Sequence, residues 1–219
     1  MDGPGELDED GRDGLAARCG AMAAGPRRHT ALLALWRLRA PLLMLGLDPA
    51  WGIHRTAAEA VFREMLTPGY DGPTADPVPF LTDIPEGEPE GVVAAVQLEV
   101  LAGLHAWPAT REPYAEETER TVRLAREVSR SLDRIVEDVL WDHPAAHAHA
   151  RYLATAPAGT GYHEARNRAV EDACHDLTAG LPPGAELAGT DAGREALARC
   201  EAFSAELVST LAWCATLGR

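Results

Sequence analysis

Between Ala125 and Val139 the apolar residues Ala125, Val128, Leu132, Ile135 and Val139 recur at spacings of three and four. That period places them on one face of an α-helix about four turns long and cannot be satisfied by a strand, whose faces alternate every residue. Pro113 falls in the first turn of this helix, and Glu116 to Arg120 and Glu119 to Arg123 are i,i+4 pairs on its other side. A second stripe, Leu197, Cys200, Phe203, Leu207, Leu211 and Cys214, follows a capping residue at Thr190 or Asp191 and predicts a final helix to Leu217. No strand pattern of convincing length occurs. The fold class expected is all-α, a single bundle of about six or seven helices whose stripes pack on one another.

The remaining helices are read from their breakers. An almost uninterrupted apolar run from His29 or Thr30 to Leu45, containing Leu32, Leu33, Leu35, Trp36, Leu42 and Leu43, predicts a centrally buried helix kinked at Pro41. Asp48-Pro49 opens a second helix through Ile53 to Leu66, and Gly91 to Trp107 forms a third. His143-Pro144 begins a short Ala-rich helix to about Ala156. Thr160 caps another through Ala179, with Ala165, Ala169, Ala173 and Leu177 expected to face inwards.

Two segments read as non-helical. Residues 1–26 are rich in Gly and acid, and are expected to be a disordered acidic tail ahead of one all-helical domain, 27–219. Residues 70–90 carry five prolines and six acidic residues with no basic one, the composition of a solvated connector.

Composition then limits the chemistry. All 20 basic residues are arginine, which removes the P-loop lysine, Schiff bases and Ser/Lys dyads, since each requires a primary amine. With 34 acidic residues the formal charge is −14, so nucleic acid and anionic membrane are not the expected partners. Cys19, Cys174, Cys200 and Cys214 are widely spaced with no CxxC, and no secretory signal opens the chain, so a reduced, cytoplasmic protein is expected.

From the kinked first helix to about residue 180, the chain resembles the YjaG-like family of small, all-helical bacterial proteins with no established activity. The matching features are Thr30-Ala31-Leu32-Leu33-Ala34-Leu35-Trp36 before a proline, and a Gly-containing turn into the helix from Ile53 to Leu66. An acidic connector with Asp83-Ile84-Pro85 follows, then Glu90-Gly91-Val92 leading towards the long helix from Tyr114. The chain departs from that family in its longer tail, its Pro-rich connector and its Ala-rich final helix. The resemblance implies a fold and carries no activity.

The densest group of ligand-type residues is Asp142-His143-Pro144-Ala145-Ala146-His147-Ala148-His149. His143 and His147, four apart, share a helix face if the helix includes both, and can hold a divalent metal with a third ligand. Candidates for that ligand are His54, His105, Glu171 and His175, of which His175 completes the set His143, His147, His175. Metal-binding bundles of the DinB-like kind are similar in drawing histidines from different helices. Their further histidine one turn on is missing here, where Ala150 and Tyr152 stand. Pro144 also makes His143 a natural cap residue, and a solvated cluster at a helix start is the leading reading.

Other signals favour structure over chemistry. Cys174 and His175 point about 100° apart on a helix and form no dyad, so Cys174 reads as core. Glu164, Glu171, Asp172 and Asp176 read as a solvated acidic face, and Arg123, Arg126, Arg130 and Arg134 as pairing with acids of their own helix. Trp36, Trp51, Trp107, Trp141 and Trp213 read as packing anchors.

The leading functional expectation is a non-catalytic accessory or interaction bundle with a protein partner and no cofactor. The alternatives are a metal-dependent bundle enzyme and a homo-oligomeric bundle joined through the final helix.

Overall fold

An apolar run with little polar interruption is satisfied only at the centre of a bundle, and residues 31–38 are all buried there. The computed structural model describes residues 9–44, 114–142, 160–182 and 184–217, with isolated positions between 56 and 96. The described part is 88% helical without strands, which is the all-α class expected. The helices are α1 (Glu9–Ala21), α2 (Ala24–Arg37), α3 (Arg39–Met44), α4 (Ala115–Asp142), α5 (Tyr162–Thr178) and α6 (Asp191–Leu217). Five of them are long and α3 has six residues, so the expected six or seven runs slightly high for the described residues. Most of the positions expected to form helices over 53–66, 91–107 and 143–156, and the whole 70–90 connector, lie outside the described residues.

The kink expected at Pro41 is realised as a break between α2 and α3. Pro41 has no N–H to give the Arg37 carbonyl, and the chain tightens one turn earlier, where Leu38 N–H donates to Leu35 O at 2.9 Å. Ser204 of α6 accepts the Ala40 N–H at 2.8 Å and so satisfies a donor in the first turn of α3. Trp36 meets Phe62 edge to face at 5.8 Å, and its indole N–H donates to Glu201 at 3.3 Å. It is the packing anchor the sequence suggests.

Around α2 stand α4, α5 and α6, with α5 packed against both of the others; α1 lies on α4 and α3 on α6. The α6 stripe is buried throughout, at Leu197, Cys200, Phe203, Leu207, Leu211 and Cys214. Its start is fixed by Thr190, whose hydroxyl accepts the Gly193 N–H at 3.0 Å. In α4 the buried line is Val122, Ala125, Val128, Leu132 and Val136, with Ile135 and Val139 at its edges. Among the described residues no helix is long and apolar enough to cross a membrane.

One expectation is overturned by α1, which lies inside the stretch expected to be an unfolded tail. It buries Leu15 and Cys19, and its C-terminal carbonyls at Cys19 and Gly20 accept hydrogen bonds from Arg27 at 3.0 and 3.2 Å. Arg18 adds ion pairs to Glu171 and to Asp172, more than 150 residues away in sequence. These anchors are tertiary and leave no trace in the local composition. The expected boundary at residue 26 correspondingly falls within α2.

Candidate functional site

The inner face of α5 is where the structure departs furthest from the sequence reading. Its buried residues are His163, Glu164, Asn167, Val170, Glu171, Cys174 and Thr178. The alanines expected inside are half-buried at Ala165 and Ala173 and exposed at Ala169, and Leu177 is half-buried. Burying carboxylates costs several kcal/mol per ion unless cations meet them. Here arginines from α1, α2, α4 and α5 itself do so.

Helices α4 and α5 run antiparallel, so positions 126, 130 and 133 meet 171, 164 and 163. Arg126 grips Glu171 bidentately, Nε to Oε2 at 3.1 Å and Nη2 to Oε1 at 2.7 Å. Arg18 also reaches Oε1, and Arg37, 1% exposed, stands 3.8 Å from Oε2. Burial alone would push the Glu171 carboxyl up; the Arg126 hydrogen bonds and the Arg37, Arg126 and Arg18 charges outweigh it and hold its pKa below the usual range. Glu164 is held down in the same way against its burial, by Arg130 at 3.1 and 3.3 Å and Arg168 at 2.8 Å.

At the start of α5 the Asp133 carboxylate does what a local cap would do. Oδ1 accepts the His163 N–H at 2.9 Å and Oδ2 the Glu164 N–H at 2.9 Å, placing negative charge at the helix N-terminus. The N-cap residue is Gly161, and a Cβ there would overlap the Asp133 side chain. Asp133 Oδ1 also accepts from His163 Nδ1 at 2.8 Å, and His163 Nε2 lies 2.9 Å from the Thr210 hydroxyl. This Asp133, His163, Thr210 line has the order of a nucleophilic triad, yet all three groups are buried and Asp133 is spent on capping. Its evident work is to tie α4, α5 and α6 together.

Towards the other end of α5, the Cys174 and Cys200 sulfurs are 3.6 Å apart, and all four cysteines are free thiols. Hydrogen bonding from Cys200 lowers the Cys174 pKa, aided by the Arg37 charge, and the same hydrogen bond with burial raises Cys200. Burial raises Cys19 and pushes Cys214 up to about 11. A cavity of about 10 Å³, lined by Arg18, Arg37, Glu171, Cys174, His175 and Thr178 among others, has room for about one water. A shallower groove of about 300 Å³ lies between Trp36, Arg39, Glu59, Arg63 and Leu66, with the Arg39 guanidinium 5.0 Å from the Trp36 ring centre.

Against this geometry the sequence candidates separate. His143 and His147 lie outside the described residues, as do His54 and His105. His175 is half-buried beside the small cavity, and among the described residues no three His, Cys, Asp or Glu side chains converge as a metal site. The acidic run divides: Asp172 and Asp176 are exposed as expected, whereas Glu164 and Glu171 are buried. Arg123 pairs with Glu119 on its own helix, and Arg130 with Glu127 at 3.1 Å. Arg126 and Arg130 direct bidentate pairs to α5, which corrects the expectation of pairing within one helix. The missed signal was complementary spacing, Arg126/Arg130/Asp133 against Glu171/Glu164/His163.

No protein-family model, curated protein or solved structure matches the chain.

Proposed function

We propose that this chain is a non-catalytic accessory bundle whose acidic exterior engages a basic protein partner. The supporting observation is an excess of acid over base that the ion-paired interior does not absorb. Arg18, Arg37, Arg126, Arg130 and Arg168 converge on the two buried carboxylates of Glu171 and Glu164. In a chain with 34 acidic and 20 basic residues the exterior remains acidic, because the buried charges among the described residues, Arg37 against Asp133, Glu164 and Glu171, remove only a few acids from it. Glu116, Glu137, Asp138, Asp176, Glu186 and Glu195 are all exposed. A surface of one sign speeds encounter with the opposite sign and disfavours nucleic acid. The alternative of self-association through α6 is weakened because the apolar stripe of that helix is consumed inside the fold.

The test is affinity capture from the source cells at low and high salt. The wild type is compared with Glu137→Gln/Asp138→Asn/Asp176→Asn/Glu186→Gln, alongside a panel of hydrolase and transferase substrates. A stoichiometric basic protein, released by salt and lost in the variant, is the expected outcome. Turnover of a substrate with no protein captured would overturn the proposal.

A further inference from the structure

Arg37 is an anomaly in the polar interior. It is among the largest fully buried side chains; among the described residues its Nε has no hydrogen-bond partner, and its Nη2 makes a 3.8 Å ion pair to Glu171. Glu171 already receives Arg126 and Arg18, so the charge of Arg37 is incompletely balanced. A buried cation in that condition favours an anion within its reach. Arg37 lines the same small cavity as Cys174, and its positive charge acts on both Cys174 and Cys200. The sulfurs of those two residues stand 3.6 Å apart across α5 and α6, whereas a disulfide bond is about 2.05 Å long. Side-chain rotation of under two ångströms, about the difference between these distances, would join them.

We propose that Cys174 and Cys200 form a reactive dithiol that a small hydroperoxide oxidises to an intramolecular disulfide linking α5 to α6. Cys174 is the attacking sulfur because it lines the cavity, with the Arg37 guanidinium to stabilise its thiolate. Its sulfur attacks the outer oxygen of the hydroperoxide. The O–O bond breaks, the alcohol or water leaves with the thiol proton, and a sulfenic acid remains. Cys200 then attacks that sulfur, the S–O bond breaks, and water leaves with the second thiol proton. Two thiols are oxidised to one disulfide, and the peroxide is reduced to water, or to an alcohol and water.

The room available selects the oxidant. A cavity that holds about one water, lined by Arg18 of α1 and by Met22 just after it, matches an oxidant of hydrogen peroxide's size. It excludes a tripeptide disulfide such as oxidised glutathione. Cys19 and Cys214, also buried and free, serve as internal controls.

The experiment treats the full chain with one equivalent of hydrogen peroxide or with oxidised glutathione. The protein is then denatured in an alkylating agent and mapped by peptide mass spectrometry without reductant. Hydrogen peroxide is expected to give a Cys174–Cys200 cross-linked peptide lighter by two hydrogens, reversible by dithiothreitol, with Cys19 and Cys214 alkylated and a raised thermal midpoint. Oxidised glutathione is expected to give none. In Cys200→Ala, dimedone present as the peroxide-treated protein is denatured is expected to trap the sulfenic acid on Cys174. Prior oxidation of Cys19 or Cys214, survival of both Cys174 and Cys200 as thiols, or equal reaction with glutathione would each overturn the proposal. The wild-type map decides the matter even if Cys200→Ala does not fold.

Discussion

Helices α5 and α6 pack side by side and are both inserted deeply into the bundle, yet they are buried for opposite reasons. The inner face of α6 is chiefly a line of Leu, Phe and Cys that leaves water under the hydrophobic effect, with Ser204 and Thr210 its buried polar groups. The inner face of α5 carries His163, Glu164 and Glu171, which can be buried only because Asp133 and a set of arginines are waiting for them. An apolar stripe tolerates many partners. A polar face requires particular groups at particular places, so it fixes which helices become neighbours and in which register.

The contrast can be broken by substitution. On the apolar side, Phe203→Ala removes a fully buried ring and is expected to cost about 3–5 kcal/mol in denaturant unfolding at neutral pH. On the polar side, Glu171→Gln leaves Arg37 and Arg126 without their shared anion, and is also expected to cost about 3–5 kcal/mol. Gly161→Ala should cost less, about 1–3 kcal/mol, because its Cβ displaces the Asp133 carboxylate from the α5 cap without removing a charge. Loss of that cap would be read as faster amide exchange at His163 and Glu164.

A smaller effect comes from His29. Its Nε2–H donates to the Ala185 carbonyl at 2.8 Å, and burial lowers its pKa from the ordinary 6.5. Below pH 6.5 the unfolded chain therefore takes up a proton that the folded protein resists, and stability falls as the solution becomes more acid. His29→Gln should flatten that part of the profile in urea unfolding at a series of pH values. The smallest effect is expected for Asp172→Asn. Its carboxylate pairs with Arg18 while 67% exposed, and its loss should change stability by no more than about 0.5 kcal/mol. An Asp172→Asn cost rivalling that of Glu171→Gln would mean that burial is not what gives the Arg18 cluster its weight.

The same contrast explains what could be read from the residues alone. Leu197 to Cys214 announced both the existence and the inner face of α6, because a stripe of period 3.6 identifies itself without reference to its neighbours. For α5 the helix was legible and its orientation was not. Ala165, Ala169, Ala173 and Leu177 outline an apolar face, but alanine burial releases too little free energy to outweigh two carboxylates engaged by arginines elsewhere. Helix α1 was hidden for a related reason, since Leu15 and Cys19 are a meagre stripe and Arg18 finds Glu171 only in the folded chain. The candidate site was illegible where its groups depend on long-range pairing, and legible only in that Cys174 and Cys200 were expected inside.

The central claim is that ionised Glu171 holds α5 to its neighbours, and the most direct test is the pH dependence of the Glu171→Gln cost beside that of Phe203→Ala. With its folded pKa held below the ordinary 4.5, Glu171 contributes stability that is fully present above that value and is lost as the pH falls through the depressed one. The Glu171→Gln cost should therefore be large at pH 7 and shrink at pH values below 4.5, while the Phe203→Ala cost stays level. A Glu171→Gln cost that stays level over the same range, or that is below about 1 kcal/mol at neutral pH, would contradict the claim.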